Sequence, residues 1–314
     1  MPKPTLSWSL PMMRRSFLSL TVVTLSCLGA VAASPKDGLS KEKRVLFVTH
    51  SGGFIHDSVG VAEDVLTELG PKNDFTVTTW RYTGDPADPG FAKYATDFRN
   101  RARKDVDKEH MGRINKDTLK NFDCVFFFTT GSGPQKKNIG PLTADELKDL
   151  QAWVKDGGCL VGSHCAADTL YDTAYGDLLG AFFKTHPSGL QKIKLKCEDP
   201  KHPAAAGFTD GQEYEDEIYI FQDATADRSK LHVIWSVEKG QFDKYAGKGA
   251  RKDADYLISW CKDEGKGKVF YTSLGHQQKV WRDEKFQKHL LGGMNWALGR
   301  AEGSAAPSSS LKID

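Results

Sequence analysis

One short stretch constrains the fold more than any other: Gly157-Gly-Cys-Leu-Val-Gly-Ser-His-Cys-Ala-Ala-Asp168. The paired glycines stop the helical pattern before them, and the apolar run that follows is too short to be a helix. A run of that kind, bounded by glycines, reads as a strand buried on both faces, as in a parallel sheet covered by helices. Residues just past such a strand lie at the carboxyl edge of the sheet, where open α/β folds place their ligands. A sharp strand-to-helix turn there presents one side chain to a pocket. In this chain that side chain is His164, with Cys165 beside it. A lone loop histidine is ordinarily a packing residue, so the rest of the chain must supply the chemistry.

The remaining pattern agrees with a parallel sheet. Arg44-Val-Leu-Phe-Val-Thr-His50 predicts a first strand, Val61, Val65, Leu66 and Leu69 a helix face, and residues 75–80 a second strand. Phe122-Asp-Cys-Val-Phe-Phe-Phe128 is the most hydrophobic strand candidate, and Thr143-Ala-Asp-Glu146 is a capping box opening a helix over 147–155. The pattern then changes character. Residues 191–197, 214–221, 231–237 and 256–261 alternate like short strands with little room for helices between them, which predicts antiparallel additions. Gly265-Lys-Gly267 turns into a last strand ending at Gly275-His276, and Phe286, Leu290, Met294 and Ala297 mark a closing helix. The expected fold class is therefore α/β: three layers around a flavodoxin-like, mostly parallel sheet with antiparallel additions in the C-terminal half.

The chain of 314 residues also carries ends that do not belong to this fold. Arg14-Arg-Ser-Phe-Leu18, an apolar run from Leu20 and Ala30-Val-Ala32 read as a twin-arginine-like signal peptide over 1–32. Its apolar run is too short to span a bilayer, so no stable membrane insertion is expected. Residues 33–43 read as a linker, 44–299 as a single domain, and 300–314 as a disordered tail. Export to the periplasm or the extracellular space is the expected localisation. Loss of residues 1–32 removes Lys3, Arg14 and Arg15 and takes the formal charge from +2 to −1. A near-neutral mature chain gives no electrostatic case for nucleic acid, and the basic run at 99–104 reads as a solvated helix face. Five cysteines then remain, an odd number without CxxC spacing, which argues against a cysteine zinc site.

Three strand ends each deliver a histidine: His56 after the first, His164 after the fourth, His276 after the last. His186 follows the helix after the central strand. Two acidic segments can join them, Asp57 beside His56 and Glu213-Tyr-Glu-Asp-Glu217. Neutral imidazoles with a carboxylate suit either a divalent metal such as zinc or proton transfer on a polar substrate. His164, His276 and Glu217 are the candidate catalytic residues, and His164, His186 and His276 the candidate metal ligands. His56 and Asp57 are expected at the rim as substrate contacts, with Trp281 stacking on a sugar ring. Ligand atoms closer than about 4 Å to one another would favour a metal, looser convergence proton transfer.

The ordered set Phe54-Ile-His-Asp57, Gly157 to His164, Leu179-Gly-Ala-Phe-Phe-Lys-Thr-His186, Lys201-His-Pro203, Glu215-Asp-Glu-Ile-Tyr219 and Gly267 to His276 with Trp281 resembles the trehalose-utilisation (ThuA-like) family. That family is a branch of the class I glutamine-amidotransferase-like fold. The resemblance implies a flavodoxin-like sheet and a role on trehalose-type disaccharides or their 3-keto derivatives. Amidotransferase relatives carry Gly-x-Cys-x-Gly at the elbow and a later His-x-Glu pair. Here the elbow reads Gly162-Ser-His-Cys-Ala166 and the later pair His276-Gln-Gln278, so glutamine hydrolysis is expected to be lost. Two readings stand: an exported sugar hydrolase, lyase or isomerase, or a catalytically silent carbohydrate-binding or scaffold domain. The partner is a small carbohydrate in either case.

Overall fold

The computed structural model describes residues 42–82, 113–131 and 140–310. The leader expected over 1–32, the expected linker up to residue 41, the basic run at 99–104 and the last four residues lie outside the described residues. In chain order the elements are β1 (Lys43–His50), α1 (Val59–Leu69), β2 (Phe75–Tyr82), α2 (Lys116–Leu119), β3 (Cys124–Phe127), α3 (Ala144–Lys155) and β4 (Cys159–Ser163). There follow α4 (Tyr175–Leu179), β5 (Phe183–Thr185), β6 (Gln191–Cys197), β7 (Glu213–Asp216), β8 (Ile220–Phe221), β9 (His232–Val237) and α5 (Asp243–Ala246). The last four are β10 (Leu257–Glu264), β11 (Gly267–Thr272), α6 (Gln278–Arg282) and α7 (Glu284–Ala297).

Among the described residues the main sheet has nine strands in the order β2-β1-β3-β4-β11-β10-β9-β6-β7. The first five are mutually parallel, and β10, β9, β6 and β7 continue antiparallel. This mixed sheet is the architecture the sequence predicts. β4 lies between β3 and β11, so His164 leaves the middle of the parallel half. Successive residues of each buried strand feed opposite faces, the period-2 rule of a sheet. Phe47 and Phe126 join the helix faces of α1 and α7 on one side, while Leu46 and Phe127 meet Leu150 and Val154 of α3 on the other. Two apolar layers with helices outside them make the three-layer arrangement.

Local signals act where they were expected. Thr143 accepts from the Glu146 amide while the Glu146 carboxylate accepts from the Thr143 amide at 2.8 Å, closing the capping box of α3. Gly265 turns the β10–β11 hairpin at φ +64°, where a Cβ would stand 2.6 Å from the Lys155 carbonyl oxygen. All four apolar residues expected on the closing helix are buried in α7. No helix among the described residues is long and apolar enough to cross a membrane.

Two expectations need correction. Residues 214–221 do not form one strand: β7 ends at Asp216 in the main sheet, and β8 begins at Ile220 in a separate two-stranded sheet with β5. Asp216 turns inward to accept from the amides of Gly275 and His276, and the Ile218 amide donates to the Gln191 side chain, so the segment gives up strand pairing at Glu217. The segment after residue 299, expected to be a disordered tail, is pinned as far as Ser309. Trp296 donates to the Gly303 carbonyl, the Ser308 hydroxyl accepts from the Val233 amide, and the Ser309 amide donates to Arg228. A small, polar segment lacks a hydrophobic pattern, but backbone pairing against β9 orders it all the same.

Candidate functional site

The turn after β4 is tight and backbone-strained. Gly162 lies where a Cβ would come within 3.0 Å of both Ala166 and Tyr271, which explains a glycine in the last turn of the strand. His164 itself adopts a left-handed backbone at φ 43°, a conformation that costs a residue with a Cβ roughly 1–3 kcal/mol. The strain is held from several sides. The Tyr271 hydroxyl donates to the His164 carbonyl at 2.6 Å, and the Tyr219 ring lies 4.1 Å from the imidazole, centroid to centroid. The imidazole Nδ1–H donates to the Ser273 carbonyl at 2.9 Å. A carbonyl can only accept, so Nδ1 carries the proton and Nε2 is left with a lone pair pointing into the site.

What meets that lone pair is unusual. The Nδ1 of His276 lies 3.2 Å from His164 Nε2, and Oε2 of Glu217 lies 3.4 Å from it. His276 Nδ1 and Glu217 Oε2 are themselves 3.3 Å apart. The three atoms form a nearly equilateral triangle. His56 is buried beside it, its ring edge-on to His164 at 4.9 Å and to His276 at 5.3 Å. One ligand atom from each of His56, His164, Glu217 and His276 lies within 4.8 Å of all the others.

Burial, and the neighbouring His276, hold the His164 imidazole well below its ordinary pKa. His56 is likewise held neutral by burial, with the nearby histidines adding to the effect. Burial pushes the Glu217 carboxyl upward, opposed by His276 and His186. His276 is lowered by burial, against the pull of Glu217 and Asp57. The His164–Glu217 contact is therefore no ordinary ion pair: a neutral imidazole turns its lone pair toward a carboxylate in a buried space. Such an arrangement is favourable with a cation, or a shared proton, between them.

The groups around the triangle fix it in place. Asp216 accepts at one oxygen from Gly275 and His276, at 2.7 and 3.3 Å, and so holds the loop that carries His276. Its carboxyl is pushed up to about 7 by burial, against those same amide bonds. The other oxygen of Glu217 faces His186 Nδ1 at 3.1 Å. Supporting hydrogen bonds of this kind orient metal ligands in known sites.

The structure sorts the sequence candidates. His164, His276 and Glu217 meet, as their place at strand ends suggested for the two histidines. His56 is not at the rim but buried within the group, because the loop after β1 folds inward: the Phe54 carbonyl accepts from Thr130, which is bridged to β1 and Asp168. Asp57 stays at the exposed rim, its carbonyl accepting from Gln278. His186 is outside the cluster and half exposed; its Nδ1 donates to the Pro187 carbonyl at 2.8 Å and lies 3.1 Å from the far oxygen of Glu217. Trp281 has no free face for a sugar. It is fully buried among Phe47, Phe126, Phe128 and Phe286, with its indole N–H donating to the Gly275 carbonyl. Its role is to support the loop before His276.

The Cys165 thiol is buried and pushed well upward by burial and by Asp168, so it is a poor nucleophile. Sequence reasoning missed Asp168 and Tyr171. The Tyr171 hydroxyl donates to the Asp168 carboxylate, whose pKa burial pushes up to about 6. The short 168–171 spacing past the elbow was the available signal.

The family described as trehalose utilisation, ThuA, matches residues 44–297. The chain belongs to the ThuA family. Among solved structures, a ThuA-like protein from Bacteroides uniformis is similar at 16% identity and a TM-score of 0.57, covering 87% of this chain and 98% of that one. A ThuA-like protein from Parabacteroides merdae is similar at 13% identity and a TM-score of 0.56, covering 84% and 93%. At that identity both speak for the ThuA fold alone. No curated protein matches this chain at a significant level.

Proposed function

We propose that this ThuA-family chain is an exported, metal-dependent enzyme of carbohydrate utilisation, acting on a trehalose-type disaccharide or its 3-keto form. The observation that carries the reading is the triangle of His164 Nε2, His276 Nδ1 and Glu217 Oε2, with sides of 3.2, 3.3 and 3.4 Å. Ligands about 2.0–2.1 Å from a tetrahedral zinc stand about 3.3–3.4 Å apart, so one ion fits the three atoms without rearrangement. His56, the fourth residue of the group, would be the further candidate to hold the ion. Three protein ligands with an open position is the pattern of catalytic rather than structural zinc.

An ion held by these residues would supply Lewis-acid polarisation of a carbonyl or hydroxyl oxygen of the sugar. The protein's own groups do the rest. Ser273 fixes the His164 tautomer, Asp216 holds His276 in place, and Tyr219 covers the His164 ring. His186, its Nδ1–H donated to the Pro187 carbonyl, keeps its other ring nitrogen for moving a proton at the half-exposed edge. Glutamine hydrolysis is excluded from the proposal: histidine holds the nucleophile's place and Gln278 donates to the Asp57 carbonyl, where amidotransferases use a glutamate. Export rests on Arg14-Arg15 and Ala30-Val-Ala32.

The test is metal analysis of the purified chain, followed by a turnover screen against disaccharides and their 3-keto forms with and without divalent cations. Stoichiometric zinc or a similar ion, with turnover lost on chelation and restored on reloading, is the expected result. A metal-free chain that turns these sugars over unaided would overturn the metal reading. A chain that binds sugar without turnover is a carbohydrate-binding domain.

A further inference from the structure

A cleft of about 620 Å³ opens beside the cluster, lined by Asp168, Tyr171, Phe183, Lys184, Gln222 and Asp223, with Asp172 at its exposed lip. It connects to the cluster through a chain of contacts. Glu217 lies beside His186, the His186 ring lies over Phe183 at 6.0 Å with an interplanar angle of 29°, and Phe183 packs on Tyr219, which covers His164. The cleft wall is thus joined to the cluster through the packed side chains of Phe183, Tyr219 and His186.

The lining is specific in its chemistry. Three carboxylates face one ammonium, and that ammonium is already engaged: Lys184 Nζ lies 3.2 Å from Asp223. Carboxylates and the Gln222 amide accept from hydroxyl groups, and the aromatic faces of Phe183 and Tyr171 suit the C–H face of a sugar ring. Among the described residues lining the cleft, an anionic group would meet net negative charge, and the one ammonium there, Lys184, is engaged by Asp223. We infer that this cleft binds an uncharged, polyhydroxylated ring of the substrate and rejects anionic sugars, with Phe183 as the stacking face and Asp168, Asp172 and Asp223 as the charge filter. The inference rests on the reading of the cluster as the reaction centre and names the part of the site that selects substrate.

Calorimetric titration of the full chain with trehalose and with trehalose 6-phosphate tests it. Trehalose should bind saturably, and the phosphate at least about tenfold more weakly, as expected for like charges near a protein surface. Asp172→Asn should narrow that gap about threefold or more. The residue is exposed and left-handed at φ 59°, a conformation asparagine accepts, so the variant keeps its fold. Phe183→Ala should weaken trehalose about three- to tenfold, with circular dichroism checking that the fold is intact. The proposal is overturned if the phosphate binds as well as trehalose, if neither variant moves the titration, or if trehalose does not bind. Its failure is distinct from failure of the metal reading. A metal-free chain that still binds trehalose through Phe183 retains the cleft, and a metal-loaded chain indifferent to both variants loses it.

Discussion

Replacing Glu217 with glutamine should move the protein's stability in opposite directions with and without metal. Glutamine keeps the shape, but the charge is gone. The buried Glu217 carboxyl has its pKa raised in the fold. A carboxyl with a raised folded pKa destabilises the fold as pH rises from its unfolded value through its folded one, because the native state holds its proton more tightly. Removing that group lifts the penalty at neutral pH. The metal-free variant should therefore be as stable as the parent or more so.

With metal the sign reverses. At a free ion concentration a hundredfold above the dissociation constant, binding adds about 2.7 kcal/mol to the parent. For a domain of this size that is a rise in Tm of about 5–10 °C. Losing the one anionic ligand of a triangle with 3.2–3.4 Å sides should weaken the site about a hundredfold or more. At the same ion concentration the gain then falls to about 0.4 kcal/mol, a shift of about 1 °C. Scanning calorimetry of both proteins, apo and zinc-loaded, reads the two effects at once. If the variant loses several degrees without metal yet keeps the parent's metal-dependent rise, Glu217 is a structural carboxylate and the reasoning is wrong.

His164→Ala should abolish turnover while leaving stability within about 1–2 kcal/mol of the parent, and full activity would take His164 out of the mechanism. No ammonia should be released from glutamine above background, and release that disappears in Cys165→Ala would contradict the buried, unactivated thiol. His289 is buried and its pKa is pushed down to about 4, so it contributes stability that is present above about 6.5 and lost as pH falls toward 4. His289→Gln should flatten the acid side of the stability curve measured by urea denaturation, and an unchanged slope would count against this. Fusing residues 1–40 to a folded reporter should send it out of the cytoplasm, and changing Arg14 and Arg15 to lysine should block that route.

Much of the frame follows from the sequence alone, because local rules set it. Period-2 and short apolar runs give the strands, the Thr143–Glu146 capping box opens α3, and the Gly265 turn closes a hairpin. The same pattern places His164 and His276 past the ends of β4 and β11, adjacent parallel strands. The site's fourth wall is different. Glu213, Tyr214, Glu215 and Asp216 alternate exposed and buried as any edge strand does, and Glu217 enters the site because the ladder breaks there. That break depends on Asp216 binding two amides some sixty residues later in the chain. His56 inside, His186 outside, Trp281 in the core and the ordering of residues 301–309 are of the same kind. Each is decided by which distant backbone group or ring occupies the neighbouring space. Periodicity encodes which face of an element is buried, but only the packed fold fixes what lies against it.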